Sequence, residues 1–375
     1  MHKTFIAAVL LLSFLPGCAP SGLAPSDCNR PVGWASCENL QGGHYELSGG
    51  AYNPGHGVVG AKCILQSDGN DMRATLDSAM RTYDIVVLDG SCGPFEISST
   101  IEFNGLRNKT LVGINRAVLR SSFQLTPQIK EAISQGDKSA VFMECGFFRF
   151  LNGSENIILR NLAFDGPGSV RGLPNPMINV RYGSHNIWID HCLFEDFARL
   201  AIGVTKGSDC VTVSWCEFRI TEQSNGHSLG CLIASGDDNW EDEDLLNVTF
   251  DHCLWRNVWS RVPMARFGTI HVINNWYDCA GTVGINPRQN SEFLVEGCWF
   301  EPGTNPLCRY KIEETPPKAY IFRDNVFDPS YEVESVGEVI VPYPYSCTSA
   351  EQAKADVSAF AGPTLTRPLR ISRQK

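Results

Sequence analysis

One phrase recurs along the middle of the chain and constrains the fold more than any other feature. It reads as alternating β-branched and apolar residues, then a Cys or Asn, then an aromatic. Copies are NIWIDHCLF (186–194), VTVSWCEF (211–218), NVTFDHCLW (247–255), IHVINNWY (270–277), FLVEGCWF (293–300) and AYIFRDNVF (319–327), with a looser one at NIILRNLAF (156–164). The Cys/Asn markers are Cys192, Cys216, Cys253, Asn275, Cys298 and Asn325, at steps of 24, 37, 22, 23 and 27 residues. The long step holds an insertion from about Thr221 to Leu246. A repeat of this length with turn residues between copies marks a solenoid. Its residues favour strands over helices, so the solenoid is a β-helix. Stacking then puts the aromatics above one another inside and makes the markers an interior ladder. Cys192, Cys216, Cys253 and Cys298 read as buried small hydrophobes. Close-paired zinc spacing is absent. The pairs Asp190-His191 and Asp251-His252 share one repeat slot and read as structural.

The expected fold is therefore all-β: a right-handed, single-stranded parallel β-helix over 61–345. Residues 72–80 (MRATLDSAM) read as a helix that caps the open end of the solenoid, which would otherwise present unpaired strand edges. Segment 19–60 is rich in Gly, Pro and Ser and reads as irregular. Segment 346–375 reads as a tail with a short helix over Ser349 to Phe360.

Residues 1–18 read as an export signal: Lys3 gives the positive start, and Phe5 to Leu15 form an apolar run too short to span a bilayer. Two cleavage readings stay open. One is of lipoprotein type, with Cys18 as a lipid anchor at the outer cell surface; the other cuts between Ala19 and Ala24 and secretes the protein. Either leaves an even number of the 15 cysteines, and disulfides are expected among Cys28, Cys37, Cys63 and Cys92 and at Cys308 and Cys347. With 31 basic against 41 acidic residues the net charge is −10, which argues against nucleic acid as a partner. Positive potential for an anionic ligand would have to come from a few placed arginines. The acidic run from Asp237 to Asp244 reads as a solvated loop. Asn108, Asn152 and Asn247 begin N-x-Ser/Thr sequons.

The blocks NIWIDHCLF, GVTKGSDCVTVSWCEF, NVTFDHCLWRNVWSRVPMARFGTIHVINNWY and VGINPRQNSEFLVEGCWFEPGTNPL resemble the pectate lyase and pectin lyase family of parallel β-helix enzymes. The resemblance runs from about Leu76 to Phe327. It implies β-elimination on an acidic polysaccharide, pectin or polygalacturonate, by a monomer: a base takes the C5 proton of a uronic acid and the bond at C4 breaks. On that resemblance Arg261 falls on the catalytic arginine, while Arg266, Arg288 and His227 fall on substrate-binding positions. The plain alternative for each arginine is a salt bridge. In pectate lyases calcium neutralises the uronate, but its ligand positions fall here on Asn175, Met177, Arg199 and Gly203, none a carboxylate, and the usual lysine falls near Leu229. No cofactor is therefore expected. In the pectin lyase branch an arginine takes the place of calcium, which makes Arg199 the second catalytic candidate. A catalytically inactive polysaccharide-binding β-helix is the alternative. A β-helix glycoside hydrolase is a third class, but it needs clustered aspartates on successive coils, and only Asp237-Asp238 is adjacent to a suitable strand.

Overall fold

The computed structural model describes residues 31–41, 44–47, 61–124, 126–136, 145–168, 175–221, 228–366 and 368. Three parallel sheets run the length of a β-helix. The first has ten strands, from Lys62–Gln66 to Ala319–Arg323; the second has eight, from Phe95–Ile97 to Trp299–Phe300; the third has seven, from Ile101–Asn104 to Asn286–Arg288. Each strand pairs in parallel with its equivalents on the coils above and below. One coil visits the sheets in turn, as in His185–Asp190, Leu193–Glu195 and Leu200–Thr205, before Asp209–Ser214 begins the next. That circuit is the repeat seen in the sequence.

The marker ladder has a mechanical cause. Each coil bends from the first sheet into the second on one residue with a left-handed backbone: Asn161, His191, Trp215, His252, Asn274, Gly297 and Asp324. The bend takes the next residue's N–H out of the strand ladder, and a buried N–H needs an acceptor. The marker side chain of the following coil supplies it. Cys192 N–H donates to Cys216 Sγ (3.3 Å), Cys253 N–H to Asn275 Oδ1 (2.9 Å), Asn275 N–H to Cys298 Sγ (3.4 Å) and Cys298 N–H to Asn325 Oδ1 (2.9 Å). From Cys192 onward a small side chain with an acceptor, Cys or Asn, fills this slot; on the preceding coil it holds Leu162.

Two residues after each marker the aromatics stack in the core. Phe164, Phe194, Phe218, Trp255, Tyr277 and Phe300 form a continuous column with successive centroids 4.1 to 5.9 Å apart. On the outside of the bend, the rings of His191, Trp215 and His252 also stack, and Asp190 and Asp251 bind the histidines at 2.8 and 2.6 Å. Asp190 also takes Arg160 and Ser214, so this slot is a structural network.

Helix α1 (Arg73–Thr82) buries Leu76, Ala79 and Met80 against the first coils, and Arg81 donates to the Glu102 carbonyl. An unforeseen helix α2 (Pro127–Ser134) starts at Thr126, whose hydroxyl accepts from the Ile129 N–H. Helix α3 (Ala350–Phe360) is capped by Ser349 in the same way.

Several expectations need correction. The 19–60 stretch is not irregular throughout: Gly33–Ser36 is a 3-10 turn, and Cys37–Gln41 pairs antiparallel with His44–Leu47. The turn is held on the first sheet because Thr249 and Thr212 hydroxyls accept the N–H groups of Trp34 and Ala35. The expected disulfides at Cys37, Cys63, Cys92, Cys308 and Cys347 are absent; all five are free thiols. Cys37 is buried under Trp34 and Tyr343, and burial pushes its thiol up to about 11. The Asn247 sequon is 2% exposed, and its amide is bonded to Asp209, so it cannot accept a glycan. Cys18, Cys28 and the export signal lie outside the described residues.

Candidate active site

The third sheet carries the candidate residues. Alternate positions on its strands point into the core: Phe148, Ile178, Ile202, Ile233 and Ala265 are all buried there. The intervening positions face out. In register they run Glu102, Arg149, Asn179, Gly203, Leu232, Met264, Asn286. Two residues along, Arg266 and Arg288 are partners on adjacent strands. The outer face is therefore apolar at Leu232 and Met264, with arginines along its border.

Arg199 and Arg261 lie at the starts of strands on this sheet. Arg199 precedes Leu200–Thr205, and its carbonyl accepts the Leu229 N–H at 2.8 Å. One coil further, the carbonyls of Ser260 and Arg261 accept the N–H groups of Gly230 (2.8 Å) and Cys231 (2.7 Å). Arg261 itself is left-handed, with φ 58°, just before the cis Val262-Pro263 bond. Gly230 is required at this contact. A Cβ there would sit 2.5 Å from the Arg261 carbonyl oxygen and 2.8 Å from the Trp255 ring. Gly230→Ala is thus expected to displace the Arg261 segment and lower kcat by at least about tenfold, since positioning errors near 1 Å cost that much or more. A melting curve and a kcat measurement on one preparation check it; unchanged kcat in a folded variant would show that Arg261 is not held from this side.

Four guanidinium groups converge here. Burial pushes Arg261 down, and the charges of Arg199, Arg266 and Arg288 add to the effect, bringing it to about 10. Burial also lowers Arg199, whose Nε is buried without a hydrogen-bond partner. Among the described residues neither Arg199 nor Arg261 has a carboxylate partner. Arg266 and Arg288 differ. Arg266 Nε donates to Asp237, and Arg288 Nη2 donates to both Asp237 oxygens at 3.1 Å. Arg288 Nε donates to Thr315 Oγ1 at 3.2 Å. Arg149 is likewise paired with Glu102 and donates to Asn175 Oδ1 at 3.3 Å. His227 lies outside the described residues.

The acidic run is not a solvated loop along its length. Asp237 bridges two arginines, and Asp242 is fully buried, where it accepts the Gly207 N–H. Leu229 is buried too, so the residue facing out on that strand is Leu232.

The four calcium-ligand positions are filled otherwise. Asn175 is buried and holds Arg149. Met177 is 1% exposed and points into the core, its methyl lying where a Cβ on Gly166 would otherwise sit. Gly203 is closed over by Pro176. Among the described residues no three acidic, His or Cys side chains cluster as metal ligands. At these four positions the described residues offer a calcium ion no carboxylate. A separate cavity of about 350 Å³ lies on the outer face of the first sheet, lined by Leu294, Ile321, Arg323, Ile340 and Tyr345 and by none of Arg199, Arg261, Arg266 and Arg288.

Comparison with known proteins agrees with this architecture. Residues 115–364 match the family model described as pectate lyase. Pectate lyase A of Aspergillus niger is 35% identical over 231 residues, 59% of this chain and 66% of that protein. A probable pectate lyase A of Aspergillus fumigatus is 29% identical over 68% of this chain and 77% of its own length. The chain thus spans just under two thirds of the length of the first of these relatives. In fold it is similar to a Bacillus pectate lyase solved in complex with trigalacturonate (TM-score 0.63, 18% identity, 88% of this chain and 98% of that one). It is also similar to pectate lyase C of Erwinia chrysanthemi (TM-score 0.56, 18% identity, 89% of this chain and 99% of that one). The chain belongs to the pectate lyase family.

Proposed function

We propose that the protein is a polysaccharide lyase that cleaves pectin or polygalacturonate by β-elimination, without a protein-held calcium ion. The observation that carries this is a pair of guanidinium groups, Arg261 and Arg199, that have no carboxylate partner among the described residues and lie beside the outer face of the third sheet.

Arg261 acts as the base. An arginine with an ordinary pKa above about 12 has fewer than one neutral molecule in ~10⁵ at pH 7. At a pKa of about 10 the neutral fraction is near one in ~10³. Neutral Arg261 takes the C5 proton of a uronic acid residue, the C4 oxygen leaves, and a 4,5-unsaturated sugar remains. Charge develops on the carboxyl group during proton removal. Arg199, fixed and partly desolvated, donates to that oxygen and stabilises the enolate-like state. A methyl ester needs less compensation than a free carboxylate, so both polymers are candidates.

The base must be neutral to act, so activity rises with pH. kcat/KM is expected to climb about tenfold per unit and level off near pH 10, where burial and the neighbouring guanidinium groups bring Arg261. A profile that is flat between pH 7 and 10 would remove Arg261 as the base. The direct assay is absorbance of the unsaturated product from polygalacturonate and from methylated pectin, each with and without chelator. Equal rates with chelator are expected; no product from either polymer, or from other uronans, would overturn the lyase reading.

The second reading is a polysaccharide-binding protein without turnover. It is favoured by the missing carboxylates at Asn175, Met177 and Gly203. Binding that survives Arg261→Ala, with no product from the unmodified protein, would establish it.

A further inference from the structure

Arg266 and Arg288 leave adjacent strands side by side. Their side chains are only 10% and 7% exposed, so two like charges are held close together with little water between them. Such a pair needs a counter-charge. Asp237 supplies it to both at once. Burial pushes the Asp237 carboxyl up, but Arg266, Arg288 and Lys311 more than offset this and hold it below the ordinary carboxylate range. It is therefore ionised at neutral pH.

The loop that delivers Asp237 is clamped. Asn239 Nδ2 donates to Ser235 Oγ (2.8 Å), Asp242 accepts the Gly207 N–H (2.6 Å) and Asn290 Nδ2 donates to Glu243 (3.0 Å). Yet the Asp237 side chain is itself 39% exposed. A fixed carboxylate therefore stands over the two arginines at the border of the outer face of the third sheet, the groove of the proposed site.

We infer that Asp237 is a specificity-determining residue: a built-in carboxylate that occupies the place a uronate carboxylate would take on Arg266 and Arg288. This rests on reading the groove as a uronan site. A free carboxylate arriving there meets a like charge and finds its donors taken; a neutral methyl ester meets neither obstacle. Discrimination by a repulsive group is a common route to specificity. Glu102 closes Arg149 in the same way. That leaves Arg199 and Arg261 for the one carboxyl group that reacts, with Leu232 and Met264 as an apolar floor beside them. The groove is thus suited to stretches in which most uronates are esterified.

The test is calorimetric binding of trigalacturonate and of its trimethyl ester to the full chain. Asp237→Asn is expected to tighten trigalacturonate by about tenfold, the scale of one charge-assisted contact. The ester's Kd should stay within about threefold, because it carries no charge to repel. Asp237→Glu should keep the parent ratio. If the asparagine variant fails to fold, Asp237→Ser, which retains an acceptor for the arginines, gives the same comparison. A parallel weakening of both ligands would mean that Asp237 only props up the arginines, and it would overturn the inference, as would an unchanged ratio. Binding needs no turnover. Absence of product from the unmodified protein would therefore sink the lyase reading alone, and an unchanged ratio in an active enzyme would sink only this inference.

Discussion

Arg261→Ala is expected to lower kcat by about 10³-fold, the usual contribution of a positioned general base. That loss corresponds to about 4 kcal/mol of transition-state stabilisation. Binding and fold should survive. The Arg261 side chain makes no ion pair among the described residues, and the backbone bonds from Gly230 and Cys231 go to carbonyls that alanine keeps. KM should move by less than about threefold, because the interaction that is lost belongs to the transition state. Arg261→Lys restores the charge but not the planar fork or its place beside Arg199, and it should recover less than a tenth of the activity. A variant whose KM rises with kcat untouched would instead make Arg261 a binding group.

The largest stability effect is expected at Trp255. It is fully buried in the aromatic column, with Phe218 at 4.1 Å on one side and Tyr277 at 5.9 Å on the other. Phe250 touches it from the first sheet. Trp255→Ala leaves a cavity between coils that cannot slide together, since their strands are fixed by hydrogen bonds. Such truncations cost about 3–5 kcal/mol. Trp255→Phe should cost less than half as much. Urea unfolding measures both, and a loss under about 1 kcal/mol would mean that the column closes up after all. The same ring also backs Gly230, so the alanine variant should lose activity at denaturant concentrations well below its unfolding midpoint.

The fold was legible because a solenoid repeats its physics. From Cys192 onward each coil has a small acceptor after its left-handed bend and an aromatic two residues on. Both needs appear as letters at fixed spacing, at Cys192, Cys216, Cys253, Asn275, Cys298 and Asn325. The four arginines were legible through resemblance, and the structure brings them together. Asp237 was not. Its partners lie 29 and 51 residues away, and in one dimension it is the head of an acidic run that looks solvated. Gly230 was missed because its role is to leave room for a carbonyl on the next coil, which no local pattern reports. The N-terminal turn was hidden by its composition: Gly33 has no room for a side chain against Thr249. The Cys37 to Cys347 expectations failed because an even cysteine count says nothing about which thiols the coils place within bonding range.

The thiols of the marker ladder have a consequence for the lifetime of the protein. Burial drives Cys216, Cys253 and Cys298 well above the ordinary thiol range, and none of them is exposed. In the folded chain they are chemically silent, even in oxidising surroundings. A chain that opens presents Cys192, Cys216, Cys253 and Cys298 to solvent together, each regaining its normal reactivity. An oxidant from the surroundings, such as a small-molecule disulfide that is itself reduced to thiols, can then link them in pairs and trap the opened form. Durability outside a reducing compartment is therefore set by how rarely the coils part, a rate, and not by the balance between folded and unfolded forms.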